Sequence, residues 1–280
     1  MITRKWFLTL VLLFPVLVCR GQDEQFVTTP EDRALAETIL TDLQKQRKGT
    51  DGDRMVRAAE SLLGQPYVAG TLEELPDEPL CIYLTRTDCI LFVETCMALV
   101  RTAGQEGEFE TLAWELRQSR YRNGRRTRYE DRLHYTTEWA RQQVSRDVLK
   151  EMTGELGGVP FDHPVHYMSM HPEAYKRMTD AGAIAAIEER INAEPSTYIP
   201  KEHLGDVLKG IRNGDILLFT STVDGLDIAH CGIAKVVAGQ PVRFIHASSG
   251  AKKVLLEPKT LEEYVRDRKT ISGIQVYRFR

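Results

Sequence analysis

Thr87-Asp88-Cys89, followed by the apolar run Ile90-Leu91-Phe92-Val93, sets a thiol at the start of a helix. Asp88 has the side chain to cap that helix, which runs to about Ala103. A thiol in this position is already partly equipped for amide hydrolysis, because unpaired backbone N–H groups and the helix macrodipole favour its thiolate. The apolar residues after it bury the first turn and hold the sulfur still. Taken alone, such a cysteine is more often a buried core thiol. The far half of the chain changes the weighing. His230, in Ile228-Ala229-His230-Cys231-Gly232-Ile233, and His246, in Phe244-Ile245-His246-Ala247-Ser248, fall on two successive strand patterns. Paired antiparallel, those strands bring two imidazoles together on one face of a sheet. A nucleophile, a base and a group that orients the base are the parts a cysteine hydrolase needs.

The elements that must position these residues follow from hydrophobic periodicity. Leu35, Ile39, Leu40 and Leu43 recur at helical spacing, as do Met55, Ala58, Ala59, Leu62 and Leu63, with Gly49-Thr50-Asp51-Gly52 as the turn between them. Residues 71–81 read as a loop containing Pro76 and Pro79, and Gly214-Asp215 as a turn. Helical patterns near 109–119, 136–144 and 173–191 are interrupted by loops rich in Gly, Pro and His. From Asp215 the pattern changes to short runs separated by turns: Ile216–Phe219, Ile228–Val237, Val242–Ala247, Lys252–Leu256 and Gly273–Phe279, an antiparallel sheet. Helices first and strands last predicts an α+β fold, one catalytic domain over 22–280 with a helical insertion at about 105–205.

Composition narrows the function. Arg4 and Lys5 precede a 12-residue apolar run, Phe7–Val18, too short to span a bilayer comfortably but suited to a secretory leader ending near Gly21. The expectation is export to the periplasm or beyond. Lipid anchoring at Cys19 is disfavoured, because Val-Leu-Val before it lacks small residues. Removing 1–21 takes away three basic residues and no acids, so the net charge moves from −3 to −6. That argues against general nucleic-acid binding. The arginines at 120, 122, 125, 126 and 128 read as a solvated loop edge. Cys81, Cys89, Cys96 and Cys231 contain no C-x-x-C pair, which disfavours structural zinc. Cys89 and Cys96 stand two helical turns apart, about 10 Å, too far to bridge. His163, His166 and His171 lack a helical metal pattern, and Pro164 and Pro172 interrupt them. No metal, cofactor or obligate protein partner is expected.

Five short segments, in order, carry a resemblance: Leu63-Gly64-Gln65-Pro66-Tyr67-Val68-Ala69-Gly70, Thr87-Asp88-Cys89, Asn213-Gly214-Asp215-Ile216-Leu217-Leu218-Phe219, His230-Cys231-Gly232-Ile233 and Ile245-His246-Ala247-Ser248. The chain resembles the NlpC-type cell-wall cysteine hydrolases, which are papain-like. The resemblance implies Cys89 as nucleophile, His230 as base and His246 as the orienting residue. It implies Tyr67 beside the nucleophile as an oxyanion donor, where the alternative is a core aromatic. Asp88 is read chiefly as the cap, with neighbouring N–H groups helping an oxyanion hole. Ile90 departs from the family's small serine and Cys231 from its valine.

Tyr121-Arg122-Asn123-Gly124, Tyr129 through Tyr135 and Trp139 are similar to a branch with N-acetylmuramoyl-L-alanine amidase activity and a large insertion between nucleophile and base, here 141 residues apart. Tyr121, Arg132 and Tyr135 are expected to bind substrate, with Arg132 clamping a carboxylate. Trp139 is as well explained by the insertion's own core. The implied reaction cleaves muropeptides between N-acetylmuramic acid and L-alanine. The alternatives are an endopeptidase cutting between D-glutamate and the diamino acid, and a muropeptide-binding protein without turnover.

Overall fold

The computed structural model describes residues 26–280 apart from Arg47, Pro76 and Lys176. The apolar N-terminal run and Cys19 lie outside the described residues. A short parallel pair, β1 (Phe26–Val27) with β2 (Leu80–Cys81), ties the chain's beginning to the segment ahead of Cys89. α1 (Pro30–Lys45) starts at Thr29, whose hydroxyl accepts the Asp32 N–H. α2 (Asp51–Ser61) starts with a reciprocal capping box between Thr50 and Asp53. α3 (Cys89–Gly104) is the central helix, with twelve of its sixteen residues buried. Each large apolar side chain it buries contributes about 1.5–3 kcal/mol. α4 (Phe109–Arg120) packs beside it, and the four helices share one core with a face of the main sheet.

The middle stretch contributes α5 (Thr136–Ser145), whose Trp139 and Ala140 join that core, and the single turn α6 (Tyr167–Met170) and α7 (Ala181–Ala193), which close a separate apolar cluster with Tyr135. The third expected helix therefore begins at Ala181 rather than 173. Nor is this stretch only helical. It also supplies β3 (Leu149–Glu151), β4 (Val159–Pro160) and β5 (Thr197–Pro200), and β5 leads into α8 (Leu204–Val207).

The sheet is completed by β6 (Ile216–Ser221), β7 (Ile228–Lys235), β8 (Arg243–Ser248), β9 (Lys253–Leu256) and β10 (Ile271–Phe279), with α9 (Leu261–Arg266) before the last strand. Its order is β4-β5-β10-β6-β7-β8-β9, with β3 also on β10, and every pairing is antiparallel. Alternate residues divide the sheet between two cores. Ile216, Leu218, Cys231 and Ile233 face α3, whereas Leu217, Phe219, Ala234 and Phe244 face α9. The fold is thus mixed α+β with an antiparallel sheet, as expected. Among the described residues no helix is long and apolar enough to cross a membrane.

Gly214 shows why the turn before β6 takes glycine. Its φ is +83°, and a Cβ there would run into the backbone of Gly52. Asp215 is buried next to it and binds both ends of the Arg278 guanidinium at 2.7 Å.

Only part of the arginine run is a solvated edge: Arg125 and Arg128 are exposed, whereas Arg120 and Arg122 are committed to the interior. Arg120 is buried, with Nε 2.9 Å from Glu94 Oε2 and Nη1 2.6 Å from the Cys81 carbonyl. Arg122 forks onto Glu138 at 2.7 and 2.8 Å. These arginines hold α3, α4 and α5 together, a role that a charge pattern does not reveal.

Candidate functional site

Cys89 opens α3, and several contacts fix that opening. Asp88 Oδ1 accepts the Leu91 N–H at 3.0 Å, so Asp88 is the cap. Thr87 accepts the Val68 N–H and donates to the Pro66 carbonyl, while the Tyr67 N–H bonds to Lys252. The Leu63–Gly70 motif is thereby threaded between β9 and the residue before Asp88, which is how Tyr67 reaches the neighbourhood of the thiol. Upstream, the buried Asp32 accepts from the Leu84 and Thr85 N–H groups and from the Thr85 hydroxyl, at 2.7–2.8 Å. An α1 acid thus pins the chain four residues ahead of the cap.

His230 lies at the start of β7, where a bulge interrupts the pairing between Phe219 and Thr220 of β6. His230 Nε2 is 2.7 Å from His246 Nδ1, and His246 Nε2 is 3.2 Å from Glu257 Oε2. The imidazole planes are nearly perpendicular, at 82°. Gly232 makes this approach feasible, since a Cβ there would come within 2.8 Å of the Phe244 ring and 3.3 Å of the His246 side chain.

These hydrogen bonds assign protons. Glu257 can only accept, so His246 carries its proton on Nε2 and leaves Nδ1 bare. Burial first, then the charges of His230 and Arg268, push His246 down to about 3, so the ring stays neutral. His230 must then donate from Nε2, and its Nδ1 is the nitrogen left for Cys89. The Cys89 thiol is held well below its ordinary range. A hydrogen bond with Cys231 is the largest cause; burial opposes it, and the His230 hydrogen bond and charge and the Ile90 N–H reinforce it. Burial, then the bond and charge of Cys89, push Cys231 well above its usual range, so Cys231 keeps its proton.

Burial, then the Cys89 charge, push Asp88 up to about 7; the Leu91 N–H and Arg120 pull the other way. Tyr67 is pushed up to about 12 by burial and then by Cys89, Asp88 and Cys231, so its hydroxyl remains a donor. All four cysteines described are free.

The structure brings Cys89, His230, His246, Tyr67 and Asp88 together. It does not bring Tyr121 or Tyr135 with them. Tyr121 is fully buried, its hydroxyl donating to Glu78 Oε1 at 3.2 Å. Tyr135 is buried, its hydroxyl donating to Glu188 at 2.8 Å and accepting the Met168 N–H. Neither presents a hydroxyl to a ligand. Arg132 is buried between Glu73 and Glu78 and stacks on Tyr129, so its charge is already matched. Trp139 is core, donating to Ser119.

His163, His166 and His171 turn to separate partners, and among the described residues no group of three or more His, Cys, Asp or Glu side chains could hold a metal ion. Glu257 was missed by the sequence reading. Its signal was available: it is the only acid between Asp227 and Glu262, the interval that holds both histidines.

The described residues thus define a mixed α+β protein carrying a line of thiol, two imidazoles and carboxylate. A family model for N-acetylmuramoyl-L-alanine amidase-like (AmiA-like) proteins matches residues 57–273, which contain the whole line, and the chain belongs to that family. It is similar to an N-acetylmuramoyl-L-alanine amidase from Bacteroides uniformis ATCC 8492, with 33% identity and a TM-score of 0.77 over 83% of this chain and 100% of that one. A Bacteroides fragilis protein provisionally described as a xylanase is 34% identical, with a TM-score of 0.73 over 79% of this chain and 99% of its own. A Legionella pneumophila protein of the DUF1460 family shares the fold, at 20% identity and a TM-score of 0.66 over 89% of this chain and 94% of its own. No curated protein matches the chain.

Proposed function

We propose that the protein is an exported, papain-like cysteine amidase of the NlpC type that cleaves muropeptides between N-acetylmuramic acid and L-alanine. The observation that carries this reading is the Cys89–His230–His246–Glu257 line in a chain of the amidase-like family. Export rests on the apolar run Phe7–Val18, and residues 22–280 are read as one catalytic domain.

In the mechanism, His230 Nδ1 takes the thiol proton and the Cys89 sulfur attacks the lactyl carbonyl. The oxyanion faces the Cys89 backbone N–H, which has no partner within the helix, and the Tyr67 hydroxyl. Collapse breaks the C–N bond. His230 gives its proton to the L-alanine amine, leaving a thioester. Water then attacks the thioester, His230 accepts its proton, and the thiol is restored. A glycosidase is a poor match for this site. Paired carboxylates must flank a glycosidic bond, whereas Asp88 caps α3 and Glu257 is bound behind His246.

Glu257 acts here as a positioning residue. Glu257→Leu removes the acceptor that keeps the His246 proton on Nε2, so His246 can turn a donor toward His230 and block the productive tautomer. A fall in kcat of about 10–100-fold at little-changed KM is expected. Glu257→Gln, whose carbonyl still accepts, should retain most of the rate. Equal losses in both variants would argue for a merely structural carboxylate. Histidine nitrogen shifts by NMR read the tautomer directly.

The bond is tested by mass spectrometry of defined muropeptides after incubation. The amidase releases a peptide beginning with L-alanine together with the free sugar. A sugar still bearing L-alanine and D-glutamate would establish the endopeptidase instead. Intact substrate, with Cys89 reduced, would favour a binding protein.

A further inference from the structure

A cavity of about 260 Å³ opens beside His230 and His246, on the sheet face that meets α9. Its lining includes Tyr264 from α9, Arg268 and Thr270 from the turn into β10, and Ser249 from the turn after β8. The Arg268 guanidinium lies 4.1 Å from the Tyr264 ring centroid, and that ring lies 6.4 Å from the His230 ring. Those two distances limit the guanidinium to within about 10.5 Å of His230.

Arg268 is exposed and has no carboxylate partner among the described residues. The neighbouring acid, Asp267, is taken by Lys259 and Arg266. Most other arginines among the described residues are committed to acids, as Arg120, Arg122, Arg132 and Arg278 are. An arginine held over an aromatic ring loses part of its freedom while N–H groups remain for a ligand, which suits bidentate binding of a planar anion.

We infer that Arg268, held by Tyr264, forms a subsite for a free carboxylate of the substrate's peptide, doing what the sequence had suggested for Arg132. The identity of the ligand rests on the muropeptide reading above. An extended peptide advances about 3.3–3.6 Å per residue, so an anion one to three residues from the scissile amide falls within reach. In a muropeptide the second stem residue, a glutamate joined through its side chain, offers a free α-carboxylate at that distance. The Ser249 and Thr270 hydroxyls at the rim are placed to accompany it.

The test is binding, measured by calorimetry in the Cys89→Ala protein, so it does not depend on which bond is cut. The ligands are N-acetylmuramoyl-L-alanyl-D-glutamate and its D-isoglutamine counterpart, in which that carboxylate is an amide. The carboxylate ligand should bind about 10-fold or more tightly, and Arg268→Ala should remove that preference while leaving the amide ligand's affinity unchanged. Equal affinities, no binding of either ligand, or a preference that survives Arg268→Ala would overturn the inference. The amidase reading fails separately, if the unmutated protein leaves the muramoyl–alanine bond intact while the carboxylate preference persists.

Discussion

Cys89→Ala should abolish hydrolysis, lowering kcat/KM by at least about 10⁴-fold while leaving thermal stability nearly unchanged. The sulfur is the only atom in the line able to form the covalent intermediate, so its loss is not shared with a neighbour. Alanine is a good residue for a first helical position, and the cap comes from Asp88, so α3 keeps its start. The same argument predicts the thiol's pH behaviour. Cys89 is held low by Cys231, His230 and the Ile90 N–H, so alkylation at Cys89 should continue to a pH well below the ordinary thiol midpoint of about 8.5. Cys231→Val removes one of these supports and should move the alkylation midpoint upward. Residual turnover within 10-fold of the unmutated protein in Cys89→Ala would rule out the thiol as nucleophile.

Arg120→Ala should be the most destabilising of the substitutions considered, by about 3–5 kcal/mol. Both members of the Arg120–Glu94 pair are almost dry, with side-chain exposures of 4% and 3%. Burial alone pushes the Glu94 carboxyl up, and Arg120 is the largest influence holding it down. Removing the guanidinium strands a charge beneath α3 and frees the Cys81 carbonyl as well. That loss is a large share of the 5–15 kcal/mol typical of a folded domain. Removing both charges, as in Glu94→Leu with Arg120→Met, should recover much of it, because the cost lies in the unpaired charge rather than in the pair's absence. Urea unfolding midpoints for the single and double variants check this. A single-variant effect below about 1 kcal/mol would mean that water reaches Glu94.

What the sequence made legible is what periodicity and order encode. The start of α3 was readable from Thr87-Asp88-Cys89 because a capping acid and an apolar run are local signals. β6 to β9 were readable because alternation and turns bounded them. β3, β4 and β5 were not, because strands of two to four residues, two of them ending in proline, hold only through their pairing with distant β10 or with each other. Residue type failed where partner choice decides role. Arg132 and Arg268 look alike in sequence, yet one is buried between two glutamates and the other stands open beside His230. Tyr121 and Tyr135 carry hydroxyls suited to a ligand, but the core uses them to satisfy Glu78 and Glu188. Glu257 escaped notice because its partner is set by the turn after β9 rather than by helical or strand spacing.

The most direct test of the central claim is the mass of the acyl group trapped on Cys89 when the protein is mixed with a muropeptide and quenched in acid within milliseconds. A thioester of N-acetylmuramic acid on the peptide containing Cys89, with free L-alanyl peptide in solution, is the predicted result. An acyl group that includes L-alanine and D-glutamate would contradict the bond assignment, and rapid product release with no adduct on Cys89 under any quench would contradict the cysteine mechanism itself.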